Sequence, residues 1–503
     1  MVKNWFLYKN LKYLKKVVVI GAGFSGLSVA TKLATEGFDV TVLEKNTTIG
    51  GRCRVFNENG FTFDMGPSWY WMPDVFERFF GEFGKKTSDY YNLTRLDPSY
   101  RVILKQNKEI NLPANSKSLK ALFEQLEPGC GLKFDSFLKE SEYKYRVGIG
   151  EFVWKPSLSI TEFFDFRLLS KALSLDLFAS FGKHIRKFFK NEDILKIMEF
   201  PILFLGATPQ DTPALYSLMN YAEMTMGTWY PMGGMHEIIK AMATLAEEKG
   251  AKILTNQNVE EIIVEGKSVK KVTTEKGVFP ADVVVGAGDY HHMDTKLLPK
   301  GFGNYSEKYW NSRLMAPSSL LFYLGINRKV EKLIHHNLFF DEDFELHAKE
   351  IYTTPKWPSK PLFYVSAPSK TDASVAPEGN ENLFLLIPIA PNLEDSEETR
   401  EKYYEIIMTR LEKYVGHSLI KNVIYKRSYA VSDFKNDYNA FKGNAYGLAN
   451  TLFQTAFLKP SMKNKNLNNM YYTGQLTVPG PGVPPSLISG LVVGKYISEK
   501  HKS

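Results

Sequence analysis

The stretch that most constrains the fold runs from Val17 to Leu27, with the sequence VVVIGAGFSGL. Four consecutive β-branched residues predict a strand that is buried on both faces. Three glycines at GxGxxG spacing follow and predict a tight turn into a helix. Gly21 permits the turn, Gly23 lets the backbone approach a pyrophosphate, and Gly26 lets the helix pack closely on the strand.

The residues after these glycines complete a βαβ unit. The start of the predicted helix places Phe24 and Ser25 beside the phosphates, where free N–H groups and the positive end of the helix dipole lie. The pattern predicts a helix over residues 27–36 and a second strand over Asp39–Leu43. That strand leads into Glu44, whose carboxylate would accept a hydrogen bond from a ribose hydroxyl. We therefore expect a dinucleotide site here.

A second glycine pair indicates which dinucleotide binds. Glu44-Lys45 leads to Gly50-Gly51-Arg52 and then to Gly66-Pro67-Ser68, and nicotinamide-binding folds do not need such a pair. The arrangement resembles the flavin-binding family that includes amine oxidases, protoporphyrinogen oxidases and carotenoid desaturases. The resemblance implies FAD as the cofactor, with Gly-Gly-Arg along its pyrophosphate and ribityl side. An arginine fork beside phosphate oxygens is physically sensible.

Composition limits the class of protein. The 503 residues are 44% hydrophobic, which is enough for two or three packed domains. The chain has only two cysteines, which is typical of a protein of the reducing cytoplasm and not of a secreted protein held together by disulfides. No Cys or His cluster has the spacing of a metal site, so no metal is predicted. Lys and Arg exceed Asp and Glu by 63 to 55, and no nucleic-acid signature accompanies this modest excess.

Any membrane contact is predicted to be peripheral, because no stretch reaches the eighteen uncharged apolar residues that a membrane helix requires. The best candidate is the span 162–190, where apolar residues at helical spacing adjoin a basic cluster that includes Lys183, Arg186 and Lys187. The alternative is a helix that covers a substrate cavity with a solvated basic end. The sequence thus predicts a cytoplasmic protein on the membrane surface, where an oligomer could also form.

The predicted fold class is α/β, with a Rossmann-like FAD-binding domain interleaved with an α+β substrate-binding domain. The FAD-binding domain is assigned to residues 15–75, 227–300 and 463–503, and the substrate-binding domain to 76–226 and 301–462. Periodicity predicts helices over 118–126, 134–145, 192–200, 236–249, 400–414 and 487–499. It predicts strands over 100–104, 251–255, 259–264, 269–274, 281–288, 320–325 and 383–389.

The last motif runs from Tyr471 to Ser486 and opens a helix whose positive end could stabilise negative charge on a reduced flavin. Together with Phe-Asp-Met-Gly-Pro-Ser and Tyr-Pro-Met-Gly-Gly-Met, its Pro-Gly-Pro-Gly-Val-Pro run resembles phytoene desaturases of the bacterial and fungal type. The resemblance implies an adenine contact at Val259. It implies further cofactor contacts at Gly474, Gln475, Gly482, Val483 and Pro484. Many family members have His where this chain has Val478, so no histidine acid/base is assumed there.

The chemistry that the resemblance implies is desaturation of phytoene towards lycopene, by hydride transfer to flavin and loss of a proton from the adjacent carbon. Phytoene is a hydrocarbon, so its pocket would hold it by burial, at about 25 cal/mol per Å² of apolar area. No Ser/His/Asp triad or carboxylate pair is visible, and none is needed. A base could be Glu223, Asp64 or water, and the sequence does not decide among them.

Three alternatives stay open. A desaturase or isomerase that acts on a later carotenoid would share nearly every motif. An amine-oxidase-like enzyme would place an aromatic cage around the flavin for a cationic nitrogen. A non-enzymatic lipid carrier of the same fold would have a damaged GxGxxG motif, the glycine fingerprint of a dinucleotide site. The motif of this chain is intact.

Overall fold

The computed structural model describes residues 14–158, 179–203, 206–455 and 458–501. Most of the amphipathic span predicted over 162–190 therefore lies outside the described residues, and only its end from 179 onward is included. Among the helices described, none combines the length and the apolarity needed to cross a bilayer.

The strands are short and separated by helices and loops. They are β1 (Lys16–Ile20), β2 (Asp39–Leu43), β3 (Val55–Glu58), β4 (Phe61–Asp64), β5 (Leu93–Arg95), β6 (Tyr100–Ile103), β7 (Glu109–Leu112), β8 (Trp229–Pro231), β9 (Lys252–Leu254), β10 (Val259–Glu265), β11 (Ser268–Thr274), β12 (Gly277–Pro280), β13 (Val283–Gly286), β14 (Ser318–Ile326), β15 (His336–Phe339), β16 (Phe363–Ser366), β17 (Glu381–Ile389), β18 (Val423–Tyr429) and β19 (Met470–Tyr472).

The helices of the described residues vary from single turns to five turns. They are α1 (Phe24–Thr35), α2 (Pro73–Glu82), α3 (Ser116–Leu126), α4 (Gly131–Gly148), α5 (Phe181–Ile185), α6 (Glu192–Leu203), α7 (Leu218–Tyr221), α8 (His236–Glu248), α9 (Tyr290–His292), α10 (Glu307–Asn311), α11 (Phe344–Tyr352), α12 (Glu397–Val415), α13 (Val431–Tyr438) and α14 (Val483–His501). A π-helical turn, Ala222–Met226, continues α7.

The central layer is a parallel sheet in the order β19-β13-β1-β2-β9, counted over the described residues. Its middle strand, β1, pairs with β13 and β2, and Val18 lies opposite Val284 and Thr41. Val17, Val18 and Val19 are all buried, because helices cover one face and the sheet β10-β11-β12 packs on the other. The α/β class with a parallel sheet is confirmed.

A second, mixed sheet follows the order β18-β14-β17-β16-β15-β6-β7 within the described part of the chain. Its centre is the antiparallel pair β14–β17, in which Leu320 faces Ile387 and Leu324 faces Leu383. β6 joins by a parallel pairing with β15, which brings residues 101–103 beside 337–339. The sequence predicts β6, β14 and β17 but not the strands between and beside them.

The predicted domain ranges can be compared with these two sheets. All strands of the parallel sheet lie within 15–75, 227–300 and 463–503, and all strands of the mixed sheet lie within 76–226 and 301–462. The small sheet β5–β8 joins one range to the other, and a single hydrophobic core includes residues of both. The division into two domains stays a prediction.

Two element boundaries differ from the sequence prediction for physical reasons. α1 begins at Phe24 rather than at residue 27, because the backbone enters the helix directly after Gly23. α14 begins at Val483 rather than at residue 487, because prolines are tolerated in the first helical turn, where backbone N–H groups have no intrahelical acceptor.

α1 and α14 pack with their backbones in close approach. Ser28 Oγ donates a hydrogen bond of 2.7 Å to the Leu487 carbonyl. A Cβ atom at Gly490 would lie 2.4 Å from the Ser25 carbonyl oxygen and 2.6 Å from the Ser28 Cβ. This packing holds the C-terminal helix against the helix of the glycine fingerprint.

We predict that Gly490→Ala destabilises the protein by about 1–3 kcal/mol, because the added methyl group overpacks the α1–α14 interface. Gly81→Ala is the matched control. Gly81 lies in α2, and a Cβ at this position would have no atom within 4 Å, so alanine should raise stability by about 0.5–1 kcal/mol. Denaturant unfolding measures both, and equal stability of the two variants would contradict the packing.

Candidate functional site

One cavity of about 640 Å³ runs between the two sheets, a size typical of ligand pockets. All but one of the residues predicted to contact the cofactor line it, and they come from five separate stretches of the chain. They are Gly21, Gly23, Phe24, Ser25, Glu44, Lys45, Gly50, Gly51, Arg52, Gly66, Pro67, Ser68, Val259, Gly474, Gln475, Gly482, Val483 and Pro484. Gly26 does not line the cavity, and it packs instead against the backbone of Gly21.

The three fingerprint glycines occupy three different environments. Gly21 has φ +108°, and its N–H donates to the Leu43 carbonyl at 2.8 Å. A Cβ at Gly26 would lie 1.9 Å from the Gly21 oxygen, so only glycine fits there. A Cβ at Gly23 would meet nothing nearer than the Gly51 Cα, at 3.9 Å, and would point into open cavity. Gly23 therefore leaves space for a ligand, as the spacing predicts.

The Glu44 carboxylate is buried beside the glycine turn. Its Oε2 accepts the Ala22 N–H at 2.9 Å, and its Oε1 accepts the Asn46 N–H at 2.9 Å. A carboxylate oxygen has two lone-pair positions, so Oε2 can accept a further hydrogen bond. The side chain is thus fixed in place by backbone donors and can still accept from a ribose on the cavity side.

The second glycine pair is held against the first by the backbone. The Gly50 N–H donates to the Ala22 carbonyl at 2.9 Å, and Gly50 has φ +116°. A Cβ at Gly66 would lie 2.6 Å from the Arg52 carbonyl oxygen. Segments 21–26, 50–52 and 66–68 therefore form one continuous wall, and a side chain at Gly50 or Gly66 would disrupt it.

Arg52 lines the cavity and has one unsatisfied buried donor. Its Nη2 donates to the Asn444 carbonyl at 3.1 Å, and its guanidinium lies 5.2 Å from the centre of the Tyr438 ring. Its Nε is buried, and no hydrogen-bond acceptor is found for it among the described residues. An unsatisfied buried donor of this kind fits a phosphate oxygen.

The sequence prediction omits the contribution of α13, which covers this end of the cavity. Lys45 Nζ donates to the Asn436 carbonyl, Asn46 Nδ2 donates to the Asp437 carbonyl at 3.2 Å, and Arg54 forms an ion pair with Asp437. The lining residues that were not predicted include Asn46, Gln257, Asp289, His292, Asp437 and Tyr438. The apolar spacing of 431, 434 and 438 could have indicated a helix, but not its place over the cavity.

The C-terminal motif lines the cavity beside the glycine turn. The Gly474 N–H donates to Ser489 Oγ at 3.1 Å, and a Cβ at Gly474 would lie 3.2 Å from Ser25 Oγ. Gln475 Nε2 donates to Asn444 Oδ1 at 3.2 Å. The first residues of α14, from Val483 to Ser486, line the cavity, so the positive end of this helix faces it.

The other end of the cavity is apolar. Among its described lining residues, the ones with charged side chains are Glu44, Lys45, Arg52, Asp289 and Asp437, all on segments that surround the glycine turn. Away from that turn, the wall is formed mainly by large apolar side chains. They are Trp69, Trp71, Met72, Ile149, Phe152, Val153, Leu215, Leu218, Met219, Leu321 and Leu386.

Neither carboxylate considered as a base reaches the cavity wall. Asp64 accepts the Met235 N–H at 2.7 Å and the His236 N–H at 3.0 Å, so it caps the start of α8. Burial raises its pKa to about 7. Glu223 accepts a hydrogen bond from the Tyr100 hydroxyl, and burial raises its pKa to about 8. Both acids lie behind the wall, in structural positions.

Known proteins resemble this chain over nearly its full length. It matches the family described as flavin containing amine oxidoreductase over residues 24–492. It is 41% identical to the carotenoid 3,4-desaturase of Haloarcula japonica, over 94% of this chain and 96% of that protein. It is 31% identical to the zeta-carotene-forming phytoene desaturase of Myxococcus xanthus, over 95% and 93% of the two chains.

Solved structures share the fold. Cyclohexylamine oxidase from Brevibacterium oxydans superposes with a TM-score of 0.59 at 14% identity, over 97% of this chain and all of that one. The cofactor is FAD, and the site fits it: Gly23 opens onto the cavity, Arg52 Nε is a buried donor without an acceptor among the described residues, and Glu44 is held for the ribose. The chain belongs to the flavin-containing amine oxidoreductase family and, within it, to the carotenoid desaturases.

Proposed function

We propose that this protein desaturates a carotenoid, and that phytoene is its substrate. The observation that carries the proposal is the division of the cavity: its charged lining residues surround the glycine turn, and the remainder is apolar. A hydrocarbon chain would be held there by burial, which stabilises a complex by about 25 cal/mol per Å² of apolar area. The names of the relatives support the same class of substrate.

The reaction divides between cofactor and protein. Bound FAD supplies the hydride acceptor. The segments 21–26, 50–52 and 66–68 would hold the dinucleotide, where Glu44 would accept from the ribose and Arg52 would donate to the phosphates. The apolar wall excludes water and aligns the substrate chain, and this positioning accounts for much of the rate enhancement that a protein can add to cofactor chemistry.

An amine substrate fits the cavity less well. A buried ammonium group needs an acidic partner, because aromatic rings such as those of Trp69 and Trp71 offset only part of the cost of removing a charge from water. The described lining residues of the apolar end include no Asp or Glu. The lipid-carrier alternative is also disfavoured, because the space in front of Gly23 is open and the fingerprint contacts are complete.

A later carotenoid is the second candidate substrate. The identity of 41% to a protein named carotenoid 3,4-desaturase favours it, since the proteins named phytoene desaturase match at 31–32%. Both candidates require the same cofactor site and the same apolar wall. They differ in which carbon–carbon bond of the substrate lies beside the flavin.

The cofactor site gives a direct prediction. Gly23→Val should lower the affinity for FAD roughly ten- to a hundredfold, because the side chain enters space that the pyrophosphate needs. Gly23 has φ −83°, which valine also adopts, so the variant should fold. Flavin absorbance after titration with FAD measures the loss. Gly277→Val, at a position with no atom within 4 Å, is the control, and equal FAD binding by both variants would refute the placement.

The substrate is identified by anaerobic bleaching of bound FAD. We expect phytoene in liposomes to bleach the flavin of the wild-type protein, with extraction of the pigment to identify the product. Bleaching by a later carotenoid such as lycopene, but not by phytoene, would move the assignment to the second candidate. A protein that bleaches with neither would not be a carotenoid desaturase.

We also propose that the protein binds the cytoplasmic face of a membrane peripherally, because a hydrocarbon substrate resides in lipid. Two exposed apolar residues lie close in sequence to Thr455, which lines the cavity. They are Phe453, which is 80% exposed, and Leu458, which is 42% exposed. Lys183 and Lys187 are exposed. Arg186 instead forms an ion pair of 2.6 Å with the buried Glu199, so it is not a free contributor to lipid binding.

The membrane surface can be tested by pull-down with liposomes that contain phosphatidylglycerol. Replacing both Phe453 and Leu458 with Ser should weaken binding about tenfold or more, since each loses up to about 1.5–3 kcal/mol of apolar burial. The matched control replaces Ile420 and Ile424 with Ser, since these residues are also exposed but do not line the cavity. If the two double variants bind liposomes equally, the surface lies elsewhere.

A further inference from the structure

Two buried polar atoms at the wall of the cavity have no hydrogen-bond partner among the described residues: Lys459 Nζ and Asn450 Oδ1. Lys459 is 4% and Asn450 3% exposed. A buried donor or acceptor that is left unsatisfied costs about 1–3 kcal/mol. One atom is a donor and the other an acceptor, so a single small molecule could satisfy both.

Both atoms face the same point on the loop Val478–Gly482. A Cβ at Gly480 would lie 3.2 Å from Lys459 Nζ and 3.4 Å from Asn450 Oδ1. Asn450 lines the cavity, as do Val478, Pro479, Pro481 and Gly482, whereas Gly480 and Lys459 do not. The loop therefore separates the cavity from the Lys459 amine, and Asn450 both lines the cavity and faces Gly480.

A bridging water would satisfy both atoms. It would accept from or donate to the amine and donate to the amide oxygen, and buried waters usually satisfy polar atoms in this way. Because Gly480 has no side chain, no Cβ atom lies between the loop and these two polar atoms. The segment around Lys459 is held in position, since Thr477 Oγ1 donates to the Pro460 carbonyl at 2.7 Å and Gln454 Nε2 donates to the Leu314 carbonyl at 2.8 Å.

We propose that Lys459 and Asn450 hold a water at this wall, and that this water and the Lys459 amine take up the proton which the substrate loses. The inference rests on the proposed desaturation, in which one carbon loses a hydride and its neighbour loses a proton. The electrons of the neighbour's C–H bond form the new carbon–carbon double bond. The proton passes to the water, which gives a proton to the amine and leaves an ammonium group.

The electrostatic environment suits this role. Burial lowers the pKa of Lys459 to about 7, and it is the only cause of the shift. No other titratable side chain occurs in residues 449–461 or 476–482, the stretches that contain Asn450, Lys459 and Gly480. The hydroxyls of Tyr290 and Tyr305 form hydrogen bonds with the backbone of Ser461, and neither shifts the pKa of Lys459. The neutral amine that a proton acceptor requires is therefore populated at neutral pH. Because Lys459 acts through the water, it is a positioning residue with a proton-accepting function.

The first test is the pH dependence of the rate at which substrate reduces bound FAD in the wild-type protein under anaerobic conditions. The rate should fall about tenfold per pH unit below pH 7 and level off above it, because only the neutral amine accepts a proton. A rate that is constant between about pH 5.5 and 9 would overturn the inference. This measurement needs no variant, so it does not depend on whether a variant folds.

The second test uses Lys459→Met, which has a similar length and no charge. At about pH 8 its rate of flavin reduction should be lower by about a hundredfold, and the pH dependence near neutrality should disappear, while FAD binds with unchanged affinity. Asn450→Ala should lower the rate and keep the pH dependence. The control is Lys465→Met, at an exposed lysine outside the cavity wall.

The outcomes separate the inference from the function on which it rests. If neither phytoene nor a later carotenoid bleaches the wild-type flavin, both fail. If the wild type bleaches but Lys459→Met does so at the same rate and with the same pH profile, the desaturase assignment stands and the proton acceptor is not Lys459.

Discussion

The close approach of backbone to backbone around the glycine turn is the constraint on which the rest of the structure depends. Gly26 packs on the Gly21 carbonyl with no space for a Cβ, and the Gly50 N–H binds the Ala22 carbonyl. α14 then packs on α1 at Gly490 in the same way. Segments far apart in sequence thereby meet at one point, and the cavity is the space that remains between them.

The parts of the fold that sequence predicts are those with local signals. β1 and β2 are apolar runs beside glycines, and α8 and α12 have clear helical periodicity. Four strands of the mixed sheet, β7, β15, β16 and β18, escape prediction because they are short or contain several polar residues. β15 contains His336 and Asn337, both fully buried, and their environment depends on β6 and β16. Only tertiary pairing between distant residues makes such a segment a central strand.

The candidate site also combines residues that local sequence predicts with residues that only tertiary contacts bring together. Gly21, Gly23 and Gly26 have the three positions that the GxGxxG spacing predicts: a turn, an open approach to the cavity and a close helix contact. Asp437 and Tyr438 lie near Arg54 and Arg52 only because α13 crosses the cavity, and a sequence pattern carries no trace of that crossing. Asp64 is a residue to which the sequence suggests a chemical role that its contacts do not support. It is a carboxylate within a family motif and a candidate base, but it accepts hydrogen bonds from the free N–H groups at the start of α8.

A hydrocarbon substrate places two opposing requirements on the cavity. The substrate offers no polar group, so shape and burial alone can position it, yet the reaction releases a charged particle, the proton, inside an apolar space. Charge is stabilised only where polar atoms are available. The loop Val478–Gly482 is where the two requirements meet, because its prolines line the apolar cavity, while Gly480 faces the amine of Lys459 and the amide oxygen of Asn450. The amine of Lys459 can thus accept the proton from an apolar cavity, and no permanent charge lies beside the hydrocarbon chain.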